Sequence, residues 1–386
     1  MLRASHLLQL AVVALLGMAL VMVHSAGMRI GRGSLEATVF LESRHTIYAT
    51  LAIAAMLIVG QFNVRRLLDW PWPANPLFWF VFLTIGLLVA TAVPGVGITV
   101  NGATRWIPLG PRQWGLSFQP SELAKWAVVL SLAYWCARRG SHLRSFRSGF
   151  LPPVLLISVI CGLIIVEDLG TAALIGLVGF SLLLAGGVRW WHALVVMPAG
   201  LAVGAMVIVS SPYRWARLVA FADPWSDSEG IGYHPIQSML AIVQGGLAGR
   251  GLGNGVQKFG YLPEDTTDFL FAVICEELGL AGAVLVVSLY LGLLGLGLVV
   301  LRACRDVFGR MIALGVLLTI GCQAFINIAV VTVVVPTKGI ALPLLSAGGT
   351  GWLFTAAAVG LLVSLDESND APLPATESLA CGVSDA

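Results

Sequence analysis

Asp268 closes a polar run, Tyr261-Leu262-Pro263-Glu264-Asp265-Thr266-Thr267-Asp268, immediately ahead of a long apolar stretch that begins at Phe269. Two uses fit a carboxylate there: with Thr267 it caps the helix that follows, or it moves a proton at the edge of an aqueous loop. Spacing alone leans slightly to the cap. Glu276 and Glu277 lie farther along the same stretch, about 12–13 Å past Asp268 at helical rise. Two adjacent carboxyls cannot both face lipid, so at least one must meet a polar interior or carry a proton.

Three more clusters place polar groups at a cost. Gln119-Pro120-Ser121-Glu122-Leu123-Ala124-Lys125 opens an apolar stretch. Ser121 is a candidate cap there, and Glu122 and Lys125, three apart, share a helix face as a local pair with a snorkelling lysine or as a polar site. Asp168, in Glu167-Asp168-Leu169-Gly170-Thr171, reads first as an N-cap beside a positive helix end. Arg214 and Arg217 fall on one face if Tyr213-Arg214-Trp215-Ala216-Arg217 is helical. Lys338, in Pro336-Thr337-Lys338-Gly339 ahead of Leu342-Pro343 and Ser346, sits in a short or re-entrant loop, tolerated only where protein or water surrounds it. The glycine run over 245–255 imitates a phosphate loop, but no strand precedes it, and a Rossmann or P-loop reading is rejected.

These groups stand out because the chain has so few. Of 386 residues, 11% are charged and 58% are hydrophobic, and the mean hydropathy is +0.90. An ordinary globular protein carries about 25% charged residues. No soluble fold of this size could bury so much apolar surface. The composition therefore predicts an all-α polytopic membrane protein. A net charge of +2 leaves no basic face for nucleic acid. The six cysteines form no CxxC pair, which argues against a disulfide framework or a zinc site.

Ten stretches are long enough to span: roughly 6–26, 46–63, 75–93, 121–137, 150–166, 169–187, 190–210, 269–301, 309–335 and 344–365. The first resembles a signal peptide but has too long an apolar run, and it is expected to stay as an uncleaved helix. The 22 Lys and Arg divide evenly between the two faces, so density decides orientation. They crowd the short loop over 137–149 and thin out over the long segment 211–268, which favours both termini inside. Residues 1–365 then form one membrane domain with outer loops at about 95–120 and 211–268, and 366–386 form a disordered cytoplasmic tail. No fixed-period repeat supports an inverted-repeat transporter.

Taken in order, the motifs resemble the SEDS family (shape, elongation, division and sporulation), the membrane peptidoglycan glycosyltransferases of the FtsW and RodA types. Arg105-Trp106-Ile107 with Gln119 to Lys125 is similar to the first outer-loop motif, and Asp168-Leu169-Gly170-Thr171 to the second. Arg214, Arg217, Asp223-Pro224-Trp225, Leu262-Pro263-Glu264, Thr267-Asp268-Phe269 and Glu276-Glu277-Leu278-Gly279 follow the third. Pro336-Thr337-Lys338-Gly339 resembles the division-type branch more than the RodA type. His234-Pro235, Cys275 and Ala347 depart from the pattern, which usually has Gln, Gly and Tyr at His234, Cys275 and Ala347.

The resemblance implies polymerisation of lipid II, an undecaprenyl-pyrophosphate-linked disaccharide peptide, at the outer face of the cytoplasmic (inner) membrane. It implies Asp268 as the base. Arg214, Arg217 and Lys338 would hold the diphosphate, with Arg105 and Lys125 as further cations and Glu122 and Glu264 beside the substrate. Asp168, Glu276, Glu277 and Ser346 would be structural or intramembrane polar groups. Any metal would be a labile, carboxylate-bound Mg or Mn ion. The implied partners are a class B penicillin-binding transpeptidase, other division or elongation proteins and membrane lipids, at the septum for the division type. A lipid II flippase using Glu122, Lys125, Glu276 and Glu277 as a polar path, and a non-catalytic scaffold, are the competing readings.

Overall fold

A computed structural model describes residues 3–27, 43–70, 74–100, 102–110, 116–347 and 349–368. A helix forms over each of the ten apolar stretches. They are α1 (Ala4–Ala26), α2 (Arg44–Gln61), α3 (Pro76–Thr91), α4 (Pro120–Arg139), α5 (Leu151–Ile165), α6 (Leu169–Ala185) and α7 (Trp190–Val209), followed, after the loop helices α8 (Pro212–Ala222) and α9 (Tyr233–Gly245), by α10 (Leu270–Ala303), α11 (Val307–Val331) and α12 (Thr350–Ser368). Among the described residues, five helices are long and apolar enough to cross a membrane by themselves. The protein is a multi-pass membrane protein.

Helix starts follow local chemistry. Ser43 accepts from the Thr46 N–H, Asn75 from Leu77 ahead of Pro76, and Asp306 from Gly309, each satisfying a donor that the first turn leaves open. Asp168 caps α6 as expected, through the N–H and hydroxyl of Thr171. Ser121 does not cap α4. Gln119 occupies that position without a side-chain cap bond, Pro120 takes the first turn, and the Ser121 hydroxyl accepts from the Gln119 amide.

The all-α expectation fails in the first outer loop. Thr99, Thr104, Trp106 and Ile107, rich in β-branched and aromatic side chains, pair as β1 (Ile98–Val100), β2 (Ala103–Pro108) and β3 (Ser117–Phe118), an antiparallel sheet in the order β1-β2-β3. The Thr104 N–H donates to the Glu167 carboxylate, which fastens β2 to the turn before α6.

Two boundaries move. The stretch 269–301 is a 34-residue helix broken at Gly279, whose φ of 64° is left-handed. A Cβ there would lie 2.4 Å from the Gly249 nitrogen, so the glycine-rich loop after α9 packs directly on the break. Glu276 and Glu277 precede it, and Glu277 accepts from Ser25, one residue before the end of α1. They therefore sit at a helix-bundle end, not in mid-span. At the other end, α12 continues through Ser368, and Asp366 accepts from the Ser5 N–H, so the first three residues of the expected tail are helical. Residues 369–386 lie outside the described residues, as do Gly348 and part of the 95–120 loop.

Candidate functional site

Asp268 lies in a turn outside α10. Pro263 leads into Glu264, whose φ of 58° is left-handed, a conformation costing about 1–2 kcal/mol for a residue with a Cβ. The Glu264 carbonyl then accepts from the N–H groups of Thr267 (3.1 Å) and Phe269 (3.2 Å), and its carboxylate from the Thr267 hydroxyl. This closes the chain on both sides of Asp268. The cap reading fails, because Phe269 occupies the N-cap and no side chain caps α10.

The Asp268 carboxyl opens into a cavity of about 220 Å³ shared by Arg217, His234, Glu264, Phe269, Lys338 and Gly339. Residue Asp268 is half-buried, its open side facing the cavity while protein strips most water from the carboxyl. That burial pushes it up to about 7, the Glu264 and Asp168 carboxylates push the same way, and Arg105 and Arg217 pull back. Gly339 sets one wall. A Cβ there would stand 2.5 Å from Asp268 Oδ2, so only glycine leaves the carboxyl its place. A buried base near 7, beside a lysine and an arginine, suits proton abstraction next to a developing anion.

Of the expected cations, Arg217 and Lys338 reach the cavity. The Arg217 guanidinium lies 4.5 Å over the Tyr213 ring and bonds its hydroxyl. Lys338, on the non-helical segment between α11 and α12, is held below the usual lysine range by burial, and Arg214 adds to the lowering against Asp168. Arg214 does not line the cavity. It donates to the Val207 and Val166 carbonyls and so ties the ends of α7 and α5 together. Arg105 is likewise engaged, 3.5 Å from Asp168 and bonded to the Glu167 carbonyl, and acts on Asp268 only through its field.

Glu122 and Lys125 form an ion pair at 2.9 Å, but Lys125 is 3% exposed and donates to Gln323 instead of snorkelling. Neither reaches the cavity. Glu276 and Glu277 are fully buried. Glu276 accepts from the Val256 and Gln257 N–H groups, with Arg250 at 3.6 Å. Glu277 pairs with Lys258 at 2.8 Å and accepts from Ser25 and the Gly253 N–H. They clamp the glycine-rich loop to α10. Ser346 serves its own turn by accepting from the Leu342 N–H.

His234 was visible only as a departure from the family pattern, yet it lines the cavity and stacks on Phe269 at 5.9 Å. Burial and Arg217 lower its pKa against Glu264, which favours the neutral imidazole with its one donor and one acceptor. Gln323 and Asn327 were also missed. Their signal was an amide pair four residues apart inside an apolar run, which a search for ionisable groups alone passes over. Among the described residues no group of three His, Cys, Asp or Glu gathers as metal ligands. A larger open groove of about 590 Å³ is lined by Leu247, Leu280, Ala281, Val284, Leu285 and Ser288, none of them ionisable.

A family model for FtsW, RodA and SpoVE, described as cell cycle protein, matches residues 6–371. The probable peptidoglycan glycosyltransferase FtsW of Thioalkalivibrio sulfidiphilus is 42% identical over 360 residues, covering 92% of this chain and 88% of the relative. That of Alkalilimnicola ehrlichii is 41% identical over 373 residues, covering 94% and 89%. A solved chain from a peptidoglycan synthase complex, studied for how polymerization and crosslinking are coordinated, superposes with a TM-score of 0.72 at 26% identity, over 95% of this chain and 98% of its own. The rod shape determining protein RodA of Thermus thermophilus superposes at 0.64 with 25% identity, over 95% and 97%.

Proposed function

The chain belongs to the FtsW/RodA/SpoVE family, and from that premise we propose that it is a peptidoglycan glycosyltransferase of the FtsW type, polymerising lipid II with Asp268 as the general base. The acceptor sugar's hydroxyl attacks the donor's anomeric carbon. The bond from that carbon to the lipid diphosphate breaks, and the hydroxyl proton passes to Asp268. Arg217 and Lys338 meet the departing diphosphate, the half of the reaction in which negative charge builds.

One observation carries this reading: no described residue donates to the Asp268 carboxylate, which faces a cavity holding two cations and sits near 7. A structural carboxylate would be bonded, as Asp168, Glu276 and Glu277 are. The flippase reading loses its path, because Glu122, Lys125, Glu276 and Glu277 are locked into pairs and backbone bonds away from the cavity. The active site would face the outside of the inner membrane, at the septum, with a class B penicillin-binding transpeptidase as partner. The test is polymerisation of purified lipid II by the full chain with that partner. Wild type should yield glycan and Asp268→Asn none, at equal protein level; polymer from the variant sinks the assignment.

A further inference from the structure

Asp268 and Lys338 reach the cavity from separate segments of chain, and something must hold those segments at a fixed separation. The side chain of Asn327 on α11 lies between them. Its Nδ2 donates to the carbonyl of Asp268 at 2.8 Å and to the carbonyl of Ile340 at 2.7 Å, so one amide nitrogen spends both hydrogens on the two segments that form the site. Asn327 is 1% exposed, and its Oδ1 is buried without a partner. Leaving a buried acceptor unpaired costs about 1–3 kcal/mol. Turning the amide over would be worse, because the oxygen would then face two carbonyls and both would lose their donor. The orientation is therefore fixed by the clamp itself.

The span it sets is the one that matters for Asp268. Ile340 follows Gly339, the residue with no room for a Cβ against Asp268 Oδ2, and Gly339 follows Lys338. One helical turn earlier on the same face of α11, Gln323 donates to the Ala341 carbonyl at 2.8 Å and accepts from Lys125 at 2.7 Å, with Glu122 behind that lysine at 2.9 Å. The buried ion pair of α4 thus ends, through Gln323, on Ala341, the residue next to the Ile340 that Asn327 holds. Its place in an apolar helix is explained by bracing, without contact to a substrate.

We propose that Asn327 is a positioning residue for glycan polymerisation: it clamps the backbone of Asp268 to that of Ile340 and so fixes the Asp268 carboxyl against Gly339 and Lys338, with Gln323, Lys125 and Glu122 as its brace. The inference rests on the reading of Asp268 as the base. The groups that bear on Asp268 are Glu264, Asp168, Arg105 and Arg217, with His234 and Lys338 in the same cavity. Asn327 carries no charge, so an effect of its loss on Asp268 titration must come through geometry and hydration.

The experiment measures lipid II polymerisation by the full chain with its transpeptidase partner, as kcat and KM across roughly pH 5.5 to 9, for wild type, Asp268→Asn, Asn327→Leu and Asn327→Ser. Removing both donors in Asn327→Leu is expected to lower kcat about 10- to 100-fold, the scale of a misplacement near 1 Å, with KM for lipid II within about twofold. The acidic limb of its kcat profile should move down by roughly a unit as the carboxyl regains water. Asn327→Ser keeps one donor and should fall between; if the leucine variant does not fold, the limb of the serine variant decides. Wild-type kcat in Asn327→Leu overturns the inference, as does a kcat that falls only with the folded fraction while the limb stays put. Polymer from Asp268→Asn, or none from wild type, instead overturns the reading of Asp268, and the clamp falls with it.

Discussion

The surroundings of Asp268 raise its pKa toward neutral and so make its ionised form costly to the fold. In the proposed role of base Asp268 is active only when ionised, so with its pKa near 7 the rate should rise through pH 7 and level off above it. A wild-type profile flat down to about pH 5 would contradict that. The stability sign runs the other way. The folded pKa lies above the unfolded 3.8, so the folded state holds its proton more tightly, and the cost of ionising is fully present above pH 7 and absent below about 4. Asp268→Asn should therefore unfold at a higher temperature than wild type at pH 8, with the gap closing as pH falls toward 4. Gly339→Ala tests the wall beside it. A Cβ placed 2.5 Å from Oδ2 must displace the carboxyl, and kcat should fall by about 10-fold or more while the protein still reaches the membrane. A fully active alanine variant would mean that the carboxyl can move without consequence.

The elements that carry the site were unevenly legible. Each apolar stretch announced its helix, because lipid on one side and protein on the other make apolar residues acceptable all round. The Asp168 cap and the non-helical segment around Lys338 were also readable, since capping and Pro/Gly punctuation are local. Long-range partners were not. Nothing near Glu277 in the chain names Ser25, and nothing near Lys258 shows that its side chain is fully buried against Glu277. The same blindness hid the protein partners of Arg214, Glu122 and Lys125, because residue type shows charge but not what it already pairs with. The Lys258–Glu277 pair gives the element-scale prediction. Removing one partner of a fully buried pair strands the other charge at about 3–5 kcal/mol. Lys258→Met should sharply lower the unfolding temperature in detergent, and Lys258→Met combined with Glu277→Leu should recover much of it. An unaltered single variant would show that the glycine-rich loop is not held to α10 by this pair.

At the scale of the molecule, polar contacts gather at two ends of the helix bundle. At one end Ser5, the first turn of α1, meets Asp366 on α12, and Arg65, just after α2, meets Asp306 and Ser368. Both described ends of the chain therefore lie together, the arrangement that ten crossings would produce. At the other end the last turn of α1 meets Glu277, and the turn bearing Asp268 follows the long 211–268 segment. Charge density argues for which end faces the cytoplasm. Arg138, Arg139, Arg144 and Arg147 crowd the connection from α4 to α5, a density that resists translocation, whereas a long segment crosses regardless of its charge. Asp268 and the cations beside it would then be outside, the face at which the proposed polymerisation of a lipid-linked sugar takes place. In a chain whose native cysteines are replaced, Glu229→Cys in the long segment should react with a membrane-impermeant maleimide in cells with an opened outer envelope. Arg144→Cys should react only after the cytoplasmic membrane is broken. The opposite pattern would put the Asp268 cavity in the cytoplasm and remove polymerisation at the outer face as its function.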